Sequence, residues 1–331
     1  MVKYVIKRVL LSIVILLGVS MIIYSLVRMM PVDFVTGKFQ ALVNENKMTQ
    51  EEFERLKVVY GLSDTSFLGI LRGYFQWLGN VCTGDLGRSF KYDANVSDII
   101  VENMGISFSI AFVALIIEFI IAIPLGVKAA TKQYGFVDYS ASVLAMIGTA
   151  LPTFFFAAIC IQLFSVQLGW FPVNGLTSTL PSDASVWTQF WDKIWHLVIP
   201  VFIMVFLSVG SLMRYTRTNT LEVLNADYIR TARAKGLGER KVIYKHAFRN
   251  TLIPLVTLLA GTLPGLFSGA MITEQMFAIP GIGLKAYDAL KAGDIPFIMG
   301  YNMFLAILTV LGTLLADLMY AVVDPRVKLT K

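Results

Sequence analysis

Charge, cysteine and histidine are all scarce in this chain. Only 15% of its 331 residues are Asp, Glu, Lys or Arg, against about 25% in a soluble domain. That deficit argues against an ordinary water-soluble fold and for a chain whose solvent is lipid. The two cysteines, Cys82 and Cys160, fall at different expected depths, one outside the membrane and one within a span, which argues against a disulfide. Only His196 and His246 could add to them, and these are expected on opposite sides of the membrane, so no metal site is expected. A G-x-x-x-x-G-K-[S/T] nucleotide loop is missing too: Gly37-Lys38 is followed by Phe39 and lacks the earlier glycine.

What is present is apolar. Hydrophobic residues make up 56% of the chain and the mean hydropathy is +0.69. A crossing helix needs about 20 such residues to span about 30 Å of hydrocarbon. Six segments meet that length: Val9 to Val27, Met104 to Val127, Tyr139 to Gln167, Ile194 to Met213, Thr251 to Thr273 and Pro296 to Val322. The first is too long for a cleaved signal and has no small-residue cleavage pattern, so it is expected to be retained. The expected fold is an all-α membrane protein with six transmembrane helices and both termini on one side. Residues 1–30 hold the N-terminus and first helix, 31–102 an external helical insertion, 103–323 the core, 214–250 an internal loop and 324–331 a tail.

Charge chooses the side. With the N-terminus inside, Lys3, Lys7, Arg8, Lys128, Lys132, the nine Lys and Arg from Arg214 to Arg249, and Arg326, Lys328 and Lys331 are internal, 17 in all. The outer segments hold 11 Lys and Arg against 15 Asp and Glu, which satisfies the positive-inside rule. The net charge of +6 is then a topology signal and not a sign of nucleic-acid binding.

Within the outer segment, Thr49 and Glu52 form a capping box ahead of Phe53, Leu56 and Tyr60, with Gly61 as the stop. A second amphipathic run, Phe67 to Leu78, puts Leu71, Tyr74, Phe75 and Leu78 on one side with Trp77 beside them. That run is expected to lie on the outer leaflet, to pack as a cap, or to serve as a spacer. Pro124, Pro152, Pro200, Pro254 and Pro264 lie within or at the ends of spans, where each removes a donor and tends to kink its helix. Gly261, Gly265 and Gly269 recur every four residues in the fifth span, a face for close helix packing or a path lined by bare backbone.

Two acids lie within spans. Glu118 is near the middle of the second, where a lone charge costs about 2.5 to 3.5 kcal/mol. It must be protonated, partnered or facing water, and it is a candidate pathway residue. Asp317 lies closer to the end of the sixth span, where interfacial water relieves it.

The stretch from Asp227 to Pro254 is a basic island between two spans. Its first part reads as a helix with Asn225 or Asp227 as the cap, and Gly236-Leu237-Gly238 turns a corner into a second helix opened by Glu239. Lys241, Lys245 and Arg249 form a stripe able to meet lipid phosphates. Ile229, Thr231, Ala232 and Ala234 offer a flat face to a partner.

The Asp227 to Asn250 segment, with its alanine-rich turn, Gly236 and the HAFRN run from His246 to Asn250, resembles the coupling loop of ABC importer permeases. It is most similar to the B-type permeases of bacterial dipeptide, oligopeptide and nickel systems. Arg230 and Thr231 stand where the wider superfamily has Glu-Ala, and Arg249 replaces a later proline. GDLGRS (Gly84 to Ser89), PLGV (Pro124 to Val127), FPVNG (Phe171 to Gly175), EQMFAIPGIG (Glu274 to Gly283) and DPR (Asp324 to Arg326) match the same family in order.

The resemblance implies a type I ABC importer permease in the bacterial plasma membrane with cytosolic termini. It implies no cofactor on this chain, with ATP and Mg on two separate ATP-binding subunits, a second homologous permease in a heterodimer, and an extracytoplasmic binding protein. Coupling is then expected at Asp227, Tyr228, Thr231, Ala232, Ala234, Lys235, Gly236, Leu237 and Gly238. Docking of the binding protein is expected around Glu274, Pro280, Gly281 and Gly283, and the cargo is expected to be oligopeptides or dipeptides. The competing expectation is a self-contained secondary transporter using Glu118 as a proton relay.

Overall fold

In the structure, a computed structural model, residues 2–28, 37, 40–45, 48–59, 66–181 and 183–323 are described. Their regular structure is helical, with one isolated antiparallel bridge between Arg88 and Asn95. In chain order the helices are α1 (Val2–Arg28), α2 (Gln50–Val59), α3 (Phe67–Cys82), α4 (Val96–Thr131), α5 (Phe136–Ala150) and α6 (Thr153–Cys160), the last prolonged by a π-helix over Ile161–Gln167. There follow α7 (Val186–Leu224), α8 (Asp227–Ala234), α9 (Glu239–Lys241) with a π-helix over Val242–Ala247, α10 (Phe248–Phe267), α11 (Met271–Met276), α12 (Ile282–Ala292) and α13 (Ile295–Val323).

Among the described residues, α1, α4, α7 and α13 are each long and apolar enough to cross a membrane, and α5 with α6 forms a fifth, bent candidate. The expected fifth crossing falls on α10, an apolar helix of 20 residues. The expected third crossing is not one rod. Its two halves meet at 104°, since Leu151, as the residue before Pro152, is driven out of the helical region to ψ 127. Helices α4, α7 and α10 run through Pro124, Pro200, and Pro254 and Pro264 as single elements. At 39 residues, α7 is about 58 Å long and extends well past the segment expected from hydropathy alone.

The described residues within 1–105 and 285–314 form one compact unit. Its core is Tyr24, Phe53, Trp77, Ile295, Met299 and Met303, so the outer segment is packed against α1 and α13 as a cap. The Tyr74 and Ser20 hydroxyls are 2.8 Å apart, and the Tyr24 and Tyr74 rings meet edge to face at 5.7 Å. The Thr49 capping box forms as expected: the Thr49 amide donates to Glu52 Oε2 at 2.9 Å and the Glu52 amide to Thr49 Oγ1 at 3.2 Å. Gly61 lies outside the described residues. The buried face of α3 is turned from the expected one: Gly73 and Trp77 are inside, while Phe75 is 59% exposed.

The GDLGRS turn belongs to this unit. Gly84 and Gly87 adopt φ of +86° and +90°, the left-handed region that glycine tolerates. Ser89 donates from its hydroxyl to Asp294, which also accepts from the Lys91 and Phe297 amides and so caps α13. Gly300 faces the Leu86 carbonyl, where an added Cβ would sit 2.9 Å from the oxygen.

The described residues within 106–284 and 315–323 form the second unit. Here α5 and α7 approach through small residues: a Cβ on Gly210 would sit 2.5 Å from the Ala145 Cα, and one on Gly148 would sit 2.7 Å from the Phe206 carbonyl oxygen. Gly126, from the PLGV motif on α4, meets α7 at Met213 and Thr216 in the same way. Asp138 at the start of α5 and Arg217 on α7 form a two-pronged ion pair at 2.7 and 2.8 Å. The Tyr134 amide also donates to Asp138.

Candidate functional site

The basic island is a folded knob. Ala226 occupies the cap position before α8 with no side-chain hydrogen bond, so neither Asn225 nor Asp227 serves as the expected cap. Asn225 instead ends α7, and Asp227 sits in the first turn of α8, where its charge suits the helix dipole. The exit is a Schellman motif. The Gly236 amide donates to the Arg233 carbonyl at 2.9 Å and the Leu237 amide to the Ala232 carbonyl at 3.4 Å. Gly236 has φ +77°, as this geometry requires.

Beyond the corner, Gly238 takes the cap position of α9. Arg233 closes the angle by a fork onto Glu239 at 3.1 and 2.7 Å. The Arg233 guanidinium holds the Glu239 carboxyl below its ordinary range, with part of that effect opposed by desolvation.

The knob's own core is Ile229, Ala232, Val242 and Ala247, with Val223, Leu224 and Leu237 packed against it. This corrects the expected contact face. Ile229 is fully buried and Ala232 is 7% exposed, because together they hold α8 against the π-helix. Asp227, Tyr228, Thr231, Ala234, Lys235, Gly236 and Gly238 are exposed and Leu237 is half-buried. The stripe of Lys241, Lys245 and Arg249 is exposed as well.

Inside the second unit, Glu118 lines a cavity of about 680 Å³. Ser208 stands beside its carboxyl, and Thr153, Thr262 and Gly265 are also in the wall. The expected glycine face is only partly realised. Gly261 and Gly265 are exposed on α10, and a Cβ on either would meet none of the described residues within 4 Å. Gly269 is not on that face. Helix α10 ends at Phe267, and Gly269 turns the chain at φ +76°, tight against the Gly283 backbone.

The EQMFAIPGIG segment folds around its own acid. Glu274 is 2% exposed and accepts hydrogen bonds from the Ser107 hydroxyl at 2.7 Å and from the Ala270 and Leu284 amides at 2.9 Å each. Ser107 in turn accepts from the Ile282 amide at 2.9 Å. Added Cβ atoms at Gly281 and Gly283 would strike the Glu274 carboxylate, so both glycines are needed for the carboxylate to fit. The FPVNG motif joins the same loop, with the Gly175 amide donating to the Phe277 carbonyl at 2.7 Å. Of the four expected docking residues, Glu274, Gly281 and Gly283 are buried and only Pro280 is at the surface. The motif's acid organises the loop from within.

Over residues 122–329 the chain matches the family described as the binding-protein-dependent transport system inner membrane component. Residues 1–111 match that system's N-terminal membrane component. The chain belongs to this family. Over 329 residues this permease is 38% identical to the oligopeptide transport system permease protein AppB of Bacillus subtilis (strain 168), covering 99% of this chain and all of that protein. It is 33% identical over 333 residues to the dipeptide transport system permease protein DppB of the same organism, covering 100% of this chain and 99% of that one.

Membership carries the type I ABC importer permease fold, an inner-membrane location and a non-catalytic role beside ATPase and binding-protein subunits. A self-contained proton-coupled transporter built on Glu118 finds no support among these relatives. The DPR motif lies outside the described residues.

Proposed function

We propose that this permease forms half of the pathway by which an ATP-driven importer takes up oligopeptides or dipeptides. The observation that carries the reading is the end-to-end likeness to an oligopeptide permease. The exposed knob between α7 and α10 supports it. A second, homologous permease supplies the other half of the path, and two ATP-binding subunits hold ATP and Mg. An extracytoplasmic binding protein delivers the cargo.

In this reading the termini and the knob face the cytosol. The exposed face of α8, with Tyr228, Thr231 and Lys235, seats in an ATP-binding subunit, and the Schellman corner passes that subunit's movement to α7 and α10. The basic stripe meets lipid phosphates beside it. No cofactor binds this chain.

The test is uptake of labelled di- to hexapeptides by the complete complex in proteoliposomes with ATP inside. Peptide accumulation that requires both ATP and the binding protein is expected. Accumulation driven by a proton gradient alone, or none for any peptide length, would overturn the reading.

A further inference from the structure

The cavity around Glu118 has a one-sided chemistry. Its wall contains one carboxylate, four hydroxyl residues and otherwise apolar or glycine positions, with no Lys, Arg or His. Two of the hydroxyls also reach carbonyls of their own helices. Ser208 donates to the Met204 carbonyl at 2.8 Å and Thr262 to the Leu259 carbonyl at 2.8 Å. Thr262 then has acceptor lone pairs left for a guest, and Ser208 stands beside the Glu118 carboxyl. A carboxylate with a hydroxyl acceptor nearby and no basic side chain in its wall suits a compact cation with several donors, which describes an ammonium group.

Size agrees. A volume of about 680 Å³ falls within the range of about 300–1,000 Å³ of small-molecule sites, and the apolar remainder of the wall suits side chains of no fixed charge. The two exposed glycines bear on the same place, because Gly265 lines the cavity and Gly261 lies one turn away with none of the described residues over it. Bare backbone there leaves room for a peptide main chain.

We infer that Glu118 is a subsite for the α-ammonium group of a peptide in transit, with Thr262 as an auxiliary acceptor. This rests on the peptide-permease reading above. It makes Glu118 a specificity-determining residue of the permease, independent of selection by the binding protein.

The test uses the assembled complex in nanodiscs without binding protein, carrying Cys82→Ser so that buried Cys160 is the only native thiol left in this chain, together with Ile272→Cys as a reporter in the cavity wall. The probes are tri-alanine amide, whose single charge is its α-ammonium, and its N-acetyl derivative. Tri-alanine amide is expected to slow maleimide labelling of the reporter by about tenfold, the worth of a charge-assisted hydrogen bond, while the acetylated probe leaves it nearly unchanged. Glu118→Gln should abolish the difference and Glu118→Asp should keep most of it.

Equal protection by both probes, or protection that survives Glu118→Gln, overturns the proposal. Uptake of tri-alanine amide is followed in the full complex in parallel. Transport without selective protection removes the ammonium subsite and leaves the peptide-permease reading standing. Selective protection without transport supports the subsite and removes that reading.

Discussion

Gly236 shows how much of the coupling geometry depends on one residue. Its φ of +77° costs a side-chain-bearing residue about 1–2 kcal/mol, and a β-branched one more. No neighbour lies within 4 Å of an added Cβ, so the penalty of Gly236→Val is backbone strain, not collision. That variant should assemble yet consume more ATP per peptide imported, measured as the ratio of phosphate release to uptake. An unchanged ratio would argue that the corner is not a lever. Glu239 gives the corner a pH response. Its folded pKa is depressed by Arg233, so its contribution is present above the ordinary carboxylate value of 4.5 and is lost as pH falls through the lower, folded one. A spin label at Lys235 should become more mobile on acidification below that value, and Glu239→Gln should be mobile already at neutral pH.

Among the elements, α5 and α7 are the closest pair, and two features hold them. Small residues let the backbones touch, and the Asp138–Arg217 fork fixes their register. Asp138 is 6% exposed and Arg217 26%, so removing either partner strands a charge at a cost of up to about 3–5 kcal/mol. Removing both costs less. Asp138→Asn and Arg217→Gln should each lower the melting temperature in detergent more than the double variant does. A strictly additive cycle would mean that the pair contributes nothing. Because α7 runs directly to the knob, this fork also joins α5 to whatever displaces α8.

For the molecule as a whole, a thiol scan of the knob separates surface from core. Thr231→Cys and Ala234→Cys should cross-link to an ATP-binding subunit, and Ala232→Cys should not, because Ala232 is packed against the knob's core. Equal cross-linking at all three would mean that α8 does not keep this face outward. Position 232 shows where sequence reading stops. Composition places it in the island, and only the packing of α8 onto the π-helix tells inside from outside. Local signals were readable: the Thr49 box and the Gly236 corner each follow from a few adjacent residues. The Asp138–Arg217 fork joins positions 79 apart and leaves no local mark. Ala145 and Gly148 are small residues at helical spacing and did carry a signal for the α5–α7 contact. The glycine pair on α10, Gly261 and Gly265, was more conspicuous and meets none of the described residues. Proline content showed that kinks were available without distinguishing Pro152, which breaks its span, from four prolines that do not.

That break has its own consequence for hydration. Half-way along the bent crossing, the first turn of α6 has amides with no partner in their own helix, and hydrocarbon offers them none. Thr153, the first residue of that turn, is in the wall of the Glu118 cavity. Water held in the cavity is then the natural acceptor for those amides. Deuterium should therefore enter the amides of Thr153 to Phe155 much faster than those of the flanking helices.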